Sequence, residues 1–265
     1  MVARIERARI RDDGALDPFE LSAVSQREPR RGHQAAVVQG SVVLVGGSDG
    51  ANNLNTTEII AFDDDGELSA SGPGPSLLAR RRGPRAAVID DVLLVIGGRG
   101  TAGADFTHDA STLAGGIVYA FGAGGTSLAE GRGFYTSAVA ADALYVFGGN
   151  EIDVVEGALA ANGWPGVFFD AGSLATPREN HQAAFAGGKV WLLGGFDGDG
   201  QVTAVEAAPV TELGLGTFAT VPGVAPPTAM RTGGCAVRLR DFVHLIAGAG
   251  SGSSAITAFS ARLSD

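Results

Sequence analysis

One segment occurs five times in this 265-residue chain, and these copies restrict the fold more than any other feature. The clearest copy spans Pro177 to Gly195 and reads PRENHQAAFAGGKVWLLGG. In each copy an arginine lies 17 residues before the second residue of a Gly-Gly pair, which is Ala-Gly in the fifth copy. Successive copies are 46 to 53 residues apart, a period typical of propeller blades rather than helical solenoids. These column arginines are Arg30, Arg81, Arg132, Arg178 and Arg231.

Each copy predicts a tight β-hairpin. Small residues follow the arginine, as at Ala35-Ala36 and Ala183-Ala184, and small side chains suit innermost strands that converge around an axis. Two turn residues then precede an almost wholly apolar run, which is typical of a strand covered on both faces. The predicted turns are Gln39-Gly40, Asp90-Asp91, Ala141-Asp142, Gly187-Gly188 and Arg240-Asp241.

The remainder of each unit predicts outer strands. Third strands are expected near residues 57–62, 116–121, 152–158 and 202–207. The chain ends, at residues 5–10 and 255–263, carry the same part of the unit, and residues 16–21 are expected to form an outermost strand. The simplest arrangement is therefore a single domain over residues 1–265 with five blades, the last closed by the N-terminal strands. The alternatives are a segment of a six- or seven-bladed propeller, or a ring completed by a second molecule.

These features resemble the kelch repeat. The resemblance rests on Arg-x-x-His in RRGH and RENH, the small-residue strand, the hairpin, the apolar strand and Gly-Gly. The segments ERARIRDDGALDPF and EIIAFDDDGELSA resemble its bacterial variant, which has Asp-Gly-x-Leu. The resemblance implies an all-β fold, a β-propeller of four-stranded antiparallel blades. The chain departs from the family where a tryptophan usually ends the blade, because the nearest equivalents are Phe19, Phe169 and Phe218.

Composition excludes several classes of function. With 45% hydrophobic and 18% charged residues the chain can bury a large core. Its net charge of −10 argues against nonspecific nucleic-acid binding, because phosphates would be repelled. No membrane span is expected, and the lack of a signal peptide predicts a cytoplasmic chain as written, or an extracellular one if it is a fragment of a longer exported protein. The single cysteine, Cys235, is expected to be buried and excludes an internal disulfide.

The candidate site is the mouth formed by loops that enter the innermost strand and leave the second strand. The resemblance implies that ligands bind on this face, and guanidinium groups there would grip carboxylates or phosphates with paired hydrogen bonds. The column arginines have a structural alternative, in which each bridges loops or pairs with an acid such as Glu179. The better ligand candidates are the unrepeated Arg31, Arg82, Arg85 and Arg99. The full candidate set is Arg30, Arg31, His33, Arg81, Arg82, Arg99, Arg132, Tyr135, Arg178, His181 and Arg231.

No metal site or cofactor is expected. His33 and His181 occupy equivalent positions in blades that are not adjacent, and a third ligand is not evident. The run Asp197-Gly-Asp-Gly, with Glu206, resembles part of a calcium loop, but Gly195 would occupy the first ligand position. An ordinary Asp-Gly turn is therefore the preferred interpretation.

The sequence predicts a non-catalytic binding or scaffold module that presents its mouth to a protein, a peptide or an acidic glycan. The prediction follows from the repeat and from the lack of a nucleophile-base pair, a phosphate loop or a nucleotide fingerprint. The alternative is a carbohydrate-active propeller enzyme using Glu151, Glu179 and Asp197, whose separation the sequence does not give. A purely architectural unit in a longer surface protein is a third hypothesis.

Overall fold

The computed structural model describes residues 3–104, 107–224, 234–239, 242–246 and 258–262, and all regular secondary structure in these ranges is β. The chain divides into two compact units. Unit 1 comprises Met1–Arg11, Leu16–Gly133 and Ala160–Gly166, and unit 2 comprises Asp12–Ala15, Phe134–Leu159 and Val167–Asp265. The single domain over residues 1–265 stays a prediction.

The N-terminal strands form an antiparallel pair, β1 (Arg4–Arg7) and β2 (Glu20–Ser25). The sequence predicted these strands at residues 5–10 and 16–21. The observed pairing leaves a longer connection, in which Ile10 and Leu16 form a single bridge. Ile10 and Leu16, which the sequence placed in the two strands, therefore lie in the connection between them.

The first blade is a four-stranded antiparallel sheet with its strands in chain order. The third strand agrees with the predicted range of 57–62. Strand β2 lies beside the outermost strand of this blade, and Arg7 and Arg9 both pair with Glu67. The strands are β3 (Gln34–Val38), β4 (Ser41–Val45), β5 (Thr57–Phe62) and β6 (Leu68–Pro73).

The second blade contains β7 (Arg85–Ile89), β8 (Val92–Ile96), β11 (Thr107–Ala114) and β13 (Gly122–Ser127). Short strands β9 (Arg99–Gly100) and β10 (Gly103–Ala104) pair with each other, and β12 (Ile117–Val118) pairs with the end of β11. The prediction of a third strand at residues 116–121 was wrong, because the third strand of this blade is β11. Polar residues are buried in β11, namely His108, Asp109 and Ser111, so an apolar pattern did not reveal it.

The core of unit 1 lies between its two blades. Strand β3 lies beside β7, and the buried cluster includes Val43, Val45, Leu93 and Val95. Ala36 is also buried in this cluster, as expected for a small residue where innermost strands approach each other. Each fully buried valine or leucine stabilises the fold by about 1.5–3 kcal/mol relative to exposure, as an upper bound.

The third blade contains β14 (Thr136–Ala140), β15 (Ala143–Phe147), β16 (Val154–Ala161) and β18 (Phe169–Ser173). Strand β17 (Trp164–Pro165) pairs with the last residues of β16. The hairpin between β14 and β15 turns at Ala141 and Asp142, whose φ angles are 47° and 57°. Positive φ at both central residues is what a type I′ turn requires, so this two-residue turn is confirmed.

The fourth blade contains β19 (Gln182–Ala186), β20 (Lys189–Leu193), β21 (Glu206–Thr211) and β23 (Ala219–Thr220), with β22 (Gly214–Leu215) paired to the end of β21. The third strand was predicted at 202–207 but begins at Glu206. Val202 and Val205 are buried in the preceding loop, where the Val202 amide donates to Gly195 O. The apolar residues that predicted a strand from residue 202 are therefore buried residues of a loop.

The last described sheet has three strands, β24 (Cys235–Leu239), β25 (Phe242–Ile246) and β26 (Ala258–Arg262). Strand β24 lies beside β19 in unit 2. Cys235 is exposed, so its expected burial was wrong. The fifth hairpin is confirmed by the pairing of Leu239 with Phe242, although its turn residues lie outside the described ranges. Closure of this blade by the N-terminal strands stays a prediction.

The core of unit 2 lies between the third and fourth blades. Phe147, Val190 and Leu192 are fully buried there, together with Phe218. The rings of Phe147 and Phe218 meet edge to face, with centroids 5.6 Å apart and planes at 81°. This geometry is favourable for two aromatic quadrupoles. Phe218 thus packs in the core of unit 2, at a position where the kelch resemblance placed the equivalent of the usual tryptophan.

Candidate functional site

The four described column arginines are buried. Arg81, Arg132 and Arg178 are 0% exposed and Arg30 is 6% exposed. Arg231 lies outside the described residues. A guanidinium group without solvent needs internal acceptors for its five N–H donors, so the contacts of these side chains define their role.

Arg81 illustrates the arrangement. Its Nη1 donates to the carbonyl oxygens of Gly97 and Thr107, at 2.9 and 3.1 Å. Its Nη2 lies 3.2 Å from Oδ1 of Asp109, which is also buried. The side chain therefore joins the first glycine of the Gly-Gly pair to the beginning of the third strand and to an acid on that strand.

The same arrangement recurs at other blades. Arg178 donates to the carbonyls of Gly194 and Ala204, at 3.1 and 3.3 Å, and pairs with Glu206. Arg30 donates to the equivalent carbonyls, and its Nη2 lies 3.9 Å from Glu58 and 3.1 Å from Glu28. Burial lowers the pKa of Arg30 and of Arg178, while the neighbouring carboxylates act in the opposite direction.

The acids of this network were missed from the sequence. Glu58, Asp109 and Glu206 each lie 28 residues after their column arginine and 11 residues after the second glycine of the pair. Counting forward from the glycines as well as backward would have found them. Ligand binding by the column arginines stays a prediction, and their burial and internal contacts argue against it. The candidate site below therefore excludes them.

The Gly-Gly pairs join neighbouring blades. The amide of Gly47 donates to Arg81 O at 2.9 Å in unit 1, and that of Gly149 donates to Arg178 O at 2.8 Å in unit 2. The φ angles of Gly47 and Gly149 are 100° and 91°, in a region that L side chains rarely adopt. The glycines thus let one blade's second strand end against the next blade's arginine.

A left-handed residue lies two positions after each of the four described column arginines. The φ angles of Gly32, Gly83, Phe134 and Asn180 are 60°, 62°, 59° and 53°. The Gly83 amide donates to Gly32 O at 2.7 Å, and the Asn180 amide donates to Phe134 O at 2.6 Å. This position therefore carries a backbone hydrogen bond from loop to loop within each unit.

Unit 1 places three unrepeated arginines on adjacent loops, which we call the basic loop surface: Arg31, Arg82 and Arg99. Arg31 is exposed and the other two are half-buried. Arg82 and Arg99 pair through both backbone hydrogen bonds, at 3.0 and 2.7 Å, and Arg31 pairs likewise with Ser48. A Cβ added to Gly32 would lie 4.0 Å from Arg82 Cβ, so the Arg31 and Arg82 loops are in contact.

Side-chain hydrogen bonds fix the basic loop surface. Asn53 Nδ2 donates to Arg99 O at 2.8 Å, and Arg80 Nη1 donates to Asn53 O at 3.3 Å. Below it, Arg85 Nη1 donates to Gln34 Oε1 at 2.7 Å between the innermost strands. The carboxylate of Asp49, on the same face, accepts the backbone amides of Ala51 and Asn52. The arginines therefore stand on loops whose backbone is already ordered.

His33 is half-buried beside this surface, and its burial predicts a pH effect. Burial lowers the pKa of His33 below its usual 6.5, and the charge of Arg30 lowers it further. Between that lowered pKa and about 6.5 the unfolded chain binds more protons than the folded one, so the free energy of unfolding falls as the pH falls through this range. The stability that comes from burying a neutral His33 is fully present above pH 6.5 and is lost as the pH falls below it. We expect a His33→Gln variant to lose less stability than the parent between pH 7 and pH 5.5, measured by thermal unfolding. An NMR titration midpoint for His33 above 6.5 would contradict this.

In unit 2 the predicted candidates divide by burial. Tyr135 and His181 are both 0% exposed, so neither side chain reaches the surface. Ligand binding by these two residues stays a prediction that burial argues against. Three loops of unit 2 follow Arg132, Gly149 and Arg178 and carry residues that are exposed or half-exposed. We call these residues the Phe134 surface: Phe134, Asn150, Glu151, Glu179 and Asn180.

The three acids of the enzyme hypothesis lie on neighbouring loops of unit 2. Glu179 pairs through its backbone with Phe196, which precedes Asp197, with both hydrogen bonds at 2.9 Å. A Cβ added to Gly198 would lie 3.0 Å from Glu151 Oε2, so Glu151 lies against the Asp197 loop. Glu179 Oε1 accepts from Asn180 Nδ2 at 3.0 Å. Catalysis by these acids stays a prediction.

The Asp197 loop has the contacts of a turn. Asp197 Oδ1 accepts the amides of Asp199 and Gly200 at 3.1 and 2.9 Å, and Glu206 is paired with Arg178. Within the described ranges, no group of three or more His, Cys, Asp or Glu side chains could hold a metal ion. Nor does that part of the chain contain a helix long and apolar enough to cross a membrane.

Comparisons with known proteins agree with the blades described above. Residues 29–61 match the family model for the Kelch motif. A solved structure described as "Structure of YjhT" is similar with a TM-score of 0.69 and 15% sequence identity, over 85% of this chain and 74% of that chain. No curated protein sequence matches the chain.

Proposed function

Because this chain is a kelch-type β-propeller, we propose that it is a binding module whose basic loop surface holds an acidic segment of a partner protein. The observation that supports this proposal is the division of the arginines into two groups. The four described column arginines are used inside the fold, whereas Arg31, Arg82 and Arg99 reach the surface on adjacent loops. The position of Arg31 and Arg82 is occupied by Gly133 and Glu179 in the third and fourth blades, so the framework common to all the blades does not depend on an arginine there.

The chemistry of the surface favours carboxylates. A guanidinium group donates two parallel hydrogen bonds to a carboxylate, and a cluster of such groups adds attraction at longer range. The chain as a whole carries a net charge of −10, so a basic surface is a local exception that would orient an acidic partner. The ordered backbone beneath it reduces the entropy lost on binding. Kelch propellers commonly bind proteins, which favours a protein segment over an acidic glycan.

The test uses a fluorescent oligoglutamate peptide and the full chain. We expect the variant Arg31→Gln with Arg82→Gln to bind it about tenfold more weakly, which corresponds to about 1.4 kcal/mol, and we expect affinity to fall with added salt. Fluorescence anisotropy measures both effects. Arg99 is kept, because its Cγ would lie 2.9 Å from a Cβ added to Gly133 and its side chain is packed there.

The matched control is Arg4→Gln with Arg9→Gln, which removes the same charge from exposed positions of unit 1. This control should bind the peptide as the parent does. Equal affinity of the parent and the Arg31/Arg82 variant would refute the proposed surface. Binding of hyaluronate in preference to oligoglutamate would instead replace the protein partner with an acidic glycan.

A further inference from the structure

Phe134 has a backbone conformation that suits glycine. Its φ of 59° lies in the left-handed region, where a bulky side chain is a true outlier. The equivalent positions in unit 1 are Gly32 and Gly83, and the neighbouring loop of unit 2 has Asn180, the residue type that tolerates this region best after glycine. Phenylalanine is thus the one unfavourable choice among the four described positions.

The backbone imposes this conformation on Phe134. Its carbonyl accepts the Asn180 amide at 2.6 Å, as Gly32 O accepts the Gly83 amide at 2.7 Å in unit 1. Glycine makes the same hydrogen bond without strain, so the framework does not require an aromatic side chain. Strain that is kept at a surface loop is typical of binding and catalytic sites. The half-exposed ring is therefore where a function is to be sought.

Other strained residues surround the same loops. The structure describes eight non-glycine residues with positive φ, of which Asp90, Ala141, Asp142 and Asn162 lie in hairpin turns. The other four are Phe134, Asn150, Glu151 and Asn180, and all belong to the Phe134 surface. The Glu179 carboxylate accepts from Asn180 Nδ2 at 3.0 Å, so the amide of Asn180 is held in one orientation.

We propose that the Phe134 surface binds the pyranose ring of a neutral sugar. The aromatic ring offers an apolar face on which the C–H face of a sugar can lie, while the amides of Asn150 and Asn180 both donate to and accept from hydroxyl groups. The carboxylates would repel an anionic ligand. A cationic side chain would instead use the carboxylates, and the test below distinguishes the two ligands. A sugar hydroxyl, which donates and accepts, matches both groups.

This site uses different residues from the proposed acidic-partner site. It lies in unit 2, uses an aromatic ring and amides instead of arginines, and would take an uncharged ligand. The two proposals can therefore fail independently. Oligoglutamate binding should be the same in a Phe134→Gly variant as in the parent, whatever that variant does to sugar binding.

Saturation-transfer difference NMR tests the site, with the methyl pyranosides of glucose, galactose and mannose as probes. In the parent we expect saturation of the ring C–H protons of at least one glycoside. Phe134→Gly should reduce that signal at least about fivefold and leave Tm unchanged or raise it by about 2–4 °C, because the backbone strain is relieved. The matched control is Phe185→Ala, which truncates another exposed phenylalanine of unit 2, on β19, and should keep the signal.

Several results would overturn the inference. One is a parent protein that saturates none of the three glycosides, and another is a Phe134→Gly variant that saturates them as the parent does. A lower Tm for Phe134→Gly would show that the ring is a packing residue rather than a ligand contact. Saturation of N-acetylarginine amide in place of the glycosides would assign the surface to a cation.

Discussion

The Arg178→Met variant is expected to lose about 3–5 kcal/mol of unfolding free energy. Both charges of the Arg178–Glu206 pair are fully buried, so removing the guanidinium leaves an uncompensated carboxylate away from water. The carbonyls of Gly194 and Ala204 lose their donor in the same substitution. Methionine keeps most of the side-chain volume, so the loss reports the charge and hydrogen bonds rather than a cavity. Urea unfolding of parent and variant measures it.

A second substitution separates the cost of the stranded carboxylate from the cost of the lost hydrogen bonds. The double variant Arg178→Met with Glu206→Leu removes the stranded carboxylate and should recover part of the stability, since a buried ion pair replaced by apolar residues is often neutral. The surface control is Arg9→Met, which breaks an exposed pair with Glu67 and should change stability by less than about 1 kcal/mol. If the Arg178→Met variant were as stable as this control, Arg178 would not be needed to stabilise the blades.

The hairpins could be predicted because their signal is local. A two-residue turn between a small-residue strand and an apolar strand depends only on neighbouring residues, and the pairs Val38–Ser41, Ile89–Val92 and Ala186–Lys189 confirm it. The third strand of the second blade could not be found in this way. Its inward residues include Asp109, whose burial makes sense only once Arg81, 28 residues earlier, is seen to pair with it.

The site was only partly accessible from the sequence for a similar reason. Arg30 and Arg31 are the same residue type at adjacent positions, yet the first is buried against Gly46 and Thr56 and the second is exposed. Repetition in every blade was the one sequence signal that separated the two groups. Phe134 gave no signal, because its left-handed backbone is set by a hydrogen bond from Asn180 on another loop.

The Gly195→Ala variant is expected to lose about 2–5 kcal/mol of unfolding free energy. Gly195 has a φ of 99°, and a Cβ there would lie 2.7 Å from Glu179 O and 2.9 Å from His181 Cβ. Both atoms belong to the loop that carries the buried Arg178. A shift of this loop would disturb the hydrogen bonds that Arg178 donates to Gly194 O and Ala204 O. The variant therefore combines backbone strain with a steric clash, and urea unfolding gives their sum.

Gly188→Ala separates the two causes. Gly188 also has a positive φ, 66°, but it lies in the β19–β20 hairpin turn, where an added Cβ meets no atom within 4 Å. This variant should lose only the strain, about 1–2 kcal/mol. The excess loss in Gly195→Ala then measures how rigidly the second strand is held against the arginine loop. If both variants lose the same amount, the loop yields to the added methyl group, and the Gly-Gly pair serves the turn rather than the close approach of neighbouring strands.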